Sequence, residues 1–376
     1  MILDTIRAIY KTNLGVKAGE KVLVFTDLPT PSETIDDHDS CRRDGLRYIA
    51  LLTAEVGRSF TKKILYREFT AVGSHAMEPP VELWETAFGK ATVGKLQKKG
   101  LLAPLLKKEL SDSRLEEAEE IVKKAGPDTV RAVIALSNYS TSHTRFRDFL
   151  TRLCGCRYAS MPLFDVSMFE GSMHVDWQAL ARRTRALEKI VNTAEYIEIS
   201  TPNGTQIRLS KQGRKALSDT GILTKKGSFG NLPAGEVFLA PLEGTAEGKM
   251  VLQWAPTREL SAPVTLTVSN GIVVDIRGSD PFVEVLKLKL GERDENRNIA
   301  ELGIGTNPMA KRPDNILESE KILGTVHIAL GDNSSFGGRV KTPFHQDFVF
   351  FKPTVTLITA AGERVKILDR GVPQFS

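Results

Sequence analysis

Along the first half of the chain, short apolar runs alternate with stretches whose apolar positions recur every three or four residues. Leu3, Ile6, Ile9, Tyr10 and Leu14 fall at helical spacing, and Gly15 ends that run. KVLVFTD follows as a short strand, residues 38–57 as a helix, and a further strand lies around 63–66. A Pro-Pro break at 79–80 precedes a helix starting at Val81, and residues 95–124 are expected to be helical with one break. TVRAVIAL predicts a buried strand, TRFRDFLTRLC an amphipathic helix, RYASMPLF a last short strand and 177–190 a closing helix. Strands separated by helices of this length imply a parallel sheet covered on both faces. Residues 1–191 are therefore expected to form an α/β domain with a mainly parallel sheet.

The period changes after Ile190. YIEISTPNGTQIRLS alternates with period two around Asn203-Gly204, a strong hairpin signal. APVTLTVSNGIVVDIRG repeats the pattern around Asn270-Gly271, and PTVTLITAAGERVKILDRG around Ala361-Gly362. Three such hairpins imply an antiparallel sheet or a partly closed barrel. Residues 192–376 are expected to be a β-rich α+β domain, with PFVEVLKLKLGE its one clear amphipathic helix.

Composition narrows the classes without choosing among them. A chain of 376 residues, 41% apolar and 26% charged, is ordinary for a globular protein of two domains. The net charge of +5 is the difference between 51 basic and 46 acidic side chains, too mild for a nucleic-acid partner. Cys41, Cys154 and Cys156 make an odd count, and the CGC pair is too close for ordinary disulfide geometry; a reducing cytoplasm is the expected location. The N-terminal stretch has an acid at its fourth position and no long apolar run, so neither a signal peptide nor a membrane anchor is expected there. No G-x-G-x-x-G follows KVLVFTD and no P-loop occurs, so a nucleotide cofactor has no support.

Candidate chemistry concentrates in residues 321–350. His327 lies inside the apolar run ILGTVHIAL, while His345 opens HQDFVF two residues before Asp347. Positions i and i+2 of a strand share a face, so His345 and Asp347 converge on one spot and suit a hard or borderline cation. Two carboxylates sit in similarly apolar, glycine-rich settings: Glu236 in NLPAGEVFLAP and Glu301 in NIAELGIGTNP. Burying either alone costs several kcal/mol, a cost that a shared cation offsets. In the first half, SNYSTSHTRFRDF places Ser142, His143, Thr144 and Arg145 at the carboxyl end of a strand, where open α/β sheets bind ligands. Ser142 or Thr144 also suits the cap of the next helix.

In this order, NLPAGEVFLAP, AELGIGTNP, GTVHIALGDN and HQDFVF resemble the aminopeptidase T/aminopeptidase S family of metallopeptidases. GVKAGEKVLVFTD and the S-H-T segment are similar to the N-terminal domain of its relatives. The resemblance implies a metal-dependent exopeptidase, usually a homodimer, with ligands at Glu236, Glu301, His327, His345 and Asp347. One or two ions (Zn, Co or Mn) would activate a water against a small peptide, with Glu236 or Glu301 as general base. Two positions depart from the family: Ile322 stands where its peptidases have a glutamate, and Ser334 where they have a tyrosine. A sister group, the 2,5-dihydroxypyridine ring-cleaving dioxygenases, resembles this variation. It implies Fe(II) on Glu301, His345 and Asp347, a small aromatic substrate and His143 as candidate acid/base. The leading expectation is an aminopeptidase, the alternative this dioxygenase, and a silent binding scaffold the third.

Overall fold

A computed structural model describes residues 1–31 and 33–375. The chain divides into two compact units, Met1–His174 with Gly221–Pro233, and Val175–Thr220 with Ala234–Ser376. This division lies nearer the N-terminus than the expected boundary at 191, because the helix Trp177–Val191 packs on strands of the second unit. Its apolar positions Leu187 and Val191 belong to that unit's core.

The first unit holds a parallel sheet of β1 (Val22–Leu28), β2 (Ile64–Thr70), β3 (Ala132–Ala135), β4 (Arg157–Ser160) and, returning from later in the chain, β8 (Phe229–Asn231). Their order is β2-β1-β3-β4-β8, with every pair parallel. Leu23, Phe25, Val133 and Ala135 pack against Trp84, Phe88, Phe146 and Phe149, while the helix Asp37–Gly57 also packs on β1. The stretch expected to be one broken helix is three: Lys90–Lys98, Leu102–Leu106 and Asp112–Lys123. Gly100 and Lys108 both take positive φ at the two interruptions, a conformation no α-helix continues through.

The second unit contains two antiparallel sheets rather than a barrel. One has eight strands, in the order β12-β11-β10-β6-β5-β16-β17-β18. They are β5 (Ala194–Ser200), β6 (Gln206–Ser210), β10 (Glu247–Ala255), β11 (Arg258–Ser269), β12 (Ile272–Arg277), β16 (Thr354–Thr359), β17 (Arg364–Asp369) and β18 (Val372–Pro373). All three expected hairpins are here: β5–β6, β11–β12 and β16–β17. The other sheet runs β15-β14-β13-β9-β7, from β7 (Leu217–Asp219), β9 (Glu236–Leu239), β13 (Ile299–Gly305), β14 (Val326–Gly331) and β15 (His345–Phe350). One hydrophobic core joins the two sheets. Ile197, Ile199, Leu209, Leu252 and Leu266 come from the larger, and Leu239, Leu302, Ile304, Ile328 and Phe348 from the smaller. Among the described residues no helix is long and apolar enough to cross a membrane.

Candidate metal centre

The smaller sheet turns its other face to chemistry. Since successive side chains alternate, burying Leu302, Ile304, Ile328 and Phe348 in the shared core points Glu301, Gly303, His327, Ala329, His345 and Asp347 to the opposite side. The register aligns them: Glu301 pairs with Ala329 and Ala329 with Asp347, while His327 pairs with Gly303 and Gly331 with His345. Glu236 opens β9 opposite Gly305. Small residues between the donors leave room for their side chains. A Cβ on Gly303 would stand 2.0 Å from the imidazole of His327, so only glycine lets that ring lie across β13.

The five residues expected as ligands thus come together, in two groups that share Glu301. Ligand atoms of Glu236, Glu301 and His327 lie within 4.8 Å of one another, as do those of Glu301, His345 and Asp347. His327 Nε2 is 3.3 Å from Glu236 Oε2 and 3.5 Å from Glu301 Oε1; His345 Nε2 is 3.4 Å from Glu301 Oε2 and 3.6 Å from Asp347 Oδ2. Direct imidazolium–carboxylate hydrogen bonds close to about 2.7–2.9 Å. Two atoms bound to one cation at about 2.0–2.2 Å stand roughly 3.0–3.5 Å apart, which is nearer the spacing found. Among the described residues, the buried Asp347 Oδ1 has no hydrogen-bond partner, a costly arrangement for a carboxylate oxygen that a cation beside it would offset. Oxygen and imidazole donors without thiolate suit Fe(II), Zn, Mn or Co. The residues present therefore fit a divalent ion.

The two groups differ in access. Glu236, Glu301 and His327 are buried, whereas the His345 side chain is 29% exposed and that of Asp347 13%. His345 Nδ1 lies 2.8 Å from the carbonyl of Asp332, which fixes its tautomer as an N–H donor there and presents Nε2 to the cluster. Phe336 meets the His345 ring edge-on, and Phe238 packs edge-on against Phe336. Asp347 also borders a small pocket walled by Trp254, Pro256, Pro313 and Ile316.

The electrostatics show a cluster short of positive charge. Burial pushes Asp347 up to about 8, with Glu320 and Glu301 adding to the rise. Burial also raises Glu236, to about 7, against the pull of Lys321 and His327. Burial opposes charge on both histidines, yet the carboxylates outweigh it: Glu301 and Glu236 raise His327 to about 9, and Asp347 and Glu301 raise His345 to about 10. Glu301 itself is held at about 2, because the two facing imidazoles overcome the effect of its burial.

Other expected residues fall elsewhere. His143 belongs to the first unit, exposed on the loop after β3, with its carbonyl accepting a hydrogen bond from Lys108. Thr144 next to it is a helix cap, its hydroxyl accepting from the Arg147 N–H at 3.1 Å. Ser334 is exposed and its hydroxyl bonds to Asp332. Lys321 was not expected. Its ammonium is fully buried, 2.7 Å from Glu236 Oε1 and 2.7 Å from Glu320 Oε2. A lysine ahead of an apolar strand ordinarily flanks it in solvent, so the local pattern held no sign of this pairing. The three cysteines are unpaired and lie in the first unit.

Known proteins of two kinds share this architecture. The structure of 2,5-dihydroxypyridine dioxygenase from Pseudomonas putida KT2440 superposes with a TM-score of 0.69 at 17% identity, over 99% of this chain and 96% of that one. AmpT from Thermus thermophilus superposes with a TM-score of 0.58 at 15% identity, over 99% and 98%. At these identities both establish the fold alone. In sequence, the 2,5-dihydroxypyridine 5,6-dioxygenase of Pseudomonas putida is 25% identical over 182 residues, 44% of this chain and 52% of that protein. The matched chain thus spans about half the length of that curated relative. The profile of the NicX family, described as 2,5-dihydroxypyridine 5,6-dioxygenase, matches residues 172–366, which include all five clustered donors. That match covers a little over half of the sequence, and the chain belongs to this family.

Proposed function

We propose that this chain is a non-haem Fe(II) dioxygenase that opens the ring of a dihydroxypyridine-like aromatic, with Glu301, His345 and Asp347 holding the ion. The observation that carries the reading is the spacing of these three side chains at the accessible end of the cluster, 3.4 Å and 3.6 Å between donor atoms, within a family of such enzymes. Fe(II) on three protein ligands supplies open positions for a hydroxylated ring and for O₂.

The residues around the ion have separate tasks. The Asp332 carbonyl orients His345, as outer partners of ligating histidines do. Glu301 reaches toward His345 with one oxygen and His327 with the other, so His327 and Glu236 brace the carboxylate from the buried side. Phe336 and Phe238 give an apolar wall beside His345 against which a flat ring stacks and from which water is excluded. His143 stays outside this assignment.

The expectation of peptide hydrolysis gains only the shared fold with AmpT, while both sequence matches are to dioxygenases. The test is anaerobic loading with Fe(II) followed by oxygen uptake with 2,5-dihydroxypyridine and with catechol. Uptake with loss of the ring absorbance is expected. No uptake with either, together with hydrolysis of aminoacyl amides after Co or Zn addition, would reinstate the peptidase.

A further inference from the structure

The two donor groups joined through Glu301 have the outline of a centre for paired ions, in which one carboxylate is shared between neighbouring cations about 3.5–4 Å apart. One of the two places already has a positive charge beside it. Lys321 sends its ammonium to Glu236 Oε1 at 2.7 Å, and the other oxygen of that carboxylate faces His327. The same ammonium is 2.7 Å from Glu320. With its side chain wholly buried, Lys321 has no solvent to retreat into, and two carboxylates offset the cost of burying its charge.

The backbone holds this lysine in position. Its N–H donates to the Glu318 carbonyl at 3.0 Å, and its own carbonyl accepts from Asn307 at 2.9 Å. The following residue lies tight against β13: a Cβ on Gly305 would sit 2.0 Å from the Ile322 carbonyl oxygen. A side chain on Gly305 would therefore push Lys321 off the sheet.

The geometry gives the consequence. A second divalent ion on Glu236 and His327 would face a fixed ammonium across a single carboxylate, in a buried setting where like charges repel strongly.

We propose that Lys321 is a resident cation standing in for a second metal, so that the centre holds one divalent ion, on Glu301, His345 and Asp347, and Glu236 and His327 position Glu301 without ligating. The inference rests on the metal-binding reading above and goes beyond it in assigning Lys321 the control of ion number.

Ion number is measured by elemental analysis of the full-length protein after equilibration with excess Co(II) and gel filtration, with the visible Co(II) spectrum as a second readout. One ion per chain is expected for the unaltered protein and for Lys321→Arg, and two for Lys321→Met, whose freed carboxylates accept the second. Glu236→Gln, which keeps the shape of the side chain, is expected to retain one ion, with affinity weakened by no more than the roughly 10–100-fold that loss of an outer partner costs. Two ions in the unaltered protein, one ion in a folded Lys321→Met, or loss of the ion in Glu236→Gln would each overturn the proposal. The Glu236→Gln result decides even if Lys321→Met does not fold. No ion in any form would instead overturn the metal-binding reading itself.

Discussion

The second unit contains two antiparallel sheets that share one core and differ in nearly everything else. The eight-stranded sheet takes its pairs β5–β6, β11–β12 and β16–β17 from neighbours in the chain, joined by short turns. Its outer face is polar, with Glu198, Arg208, Lys249, Thr267 and Lys366 partly or fully exposed. The five-stranded sheet pairs β9 with β13 across some sixty residues of sequence, and β14 with β15 across a loop. Its outer face is polar too, but Glu236, Glu301 and His327 on it are buried. Water supports the charges of the first sheet, and nothing in bulk solvent supports those of the second. A buried polar face obliges the protein to supply counter-charge, from its own side chains or from a bound cation.

The largest expected effect separates the two faces directly. Asp347→Ala removes a proposed ligand from the donor face of the five-stranded sheet, and affinity for Fe(II) or Co(II) should drop by more than about 100-fold, beyond what loss of an outer partner costs. Glu198→Ala removes a carboxylate from the exposed face, where its neighbours are Arg364 and Arg208. An exposed pair of this kind contributes about 0–1 kcal/mol, and metal affinity should not move. Titration with Co(II), alongside thermal melts of both variants, measures the contrast. An Asp347→Ala protein that binds the ion as tightly as before would place the centre elsewhere.

Next in size is the response to pH, which belongs to the five-stranded sheet because the strands of the other contain no histidine. Without a bound ion, His327 and His345 are raised to about 9 and about 10, Asp347 to about 8 and Glu236 to about 7. In each case the folded protein holds the proton more tightly than the unfolded chain, so stability is fully present below the unfolded value and is lost as pH rises through the folded one. Glu301, held at about 2, has the opposite sign, but its contribution is complete above about 4.5 and constant across the neutral range. The EDTA-treated protein should therefore melt at progressively lower temperature from pH 7 to 10. A ligating imidazole must be neutral, so ion binding expels the protons of His345 and Asp347 and should tighten about tenfold per pH unit for each proton released. Saturation with Co(II) should flatten the melting profile. A profile equally steep with and without the ion would mean that the protons and the cation do not share a site.

The same contrast explains what was legible in the sequence. Asn270-Gly271 announces a two-residue turn, and both residues take the positive φ that such a turn needs, so the β11–β12 hairpin could be read locally. His345 and Asp347 were legible as a pair because strand periodicity alone puts them on one face. The partnership of Lys321 with Glu236 was not, since it spans 85 residues and depends on how the backbone after β13 folds back against Gly305. For the same reason the helix Trp177–Val191 looked like the end of the first unit: its amphipathic pattern records that one face is buried, without recording against what. The return of Phe229–Asn231 to the edge of the parallel sheet is equally non-local, three residues with no pattern of their own.

The smallest effect compares one glycine from each sheet. Gly362, in the β16–β17 turn, has φ of 81° and nothing within 4 Å of where a Cβ would stand. Gly362→Ala should cost about 1–2 kcal/mol, entirely from the left-handed backbone conformation, with metal affinity unchanged. Gly303 has no such backbone demand, and its Cβ would collide with the His327 ring at 2.0 Å. Overpacking of this kind costs typically about 1–3 kcal/mol, so thermal melts alone would hardly distinguish the two variants. Their second readout does. His327 can relieve the collision only by swinging off β13, away from Glu301, and the shared carboxylate then loses the partner that faces its buried oxygen. Gly303→Ala should accordingly weaken ion binding by about tenfold, the lower end of the range for outer partners of a metal ligand. If the two alanines lowered stability alike and neither touched the ion, His327 would be a packing residue, and the buried face would be organised by Glu301, His345 and Asp347 alone.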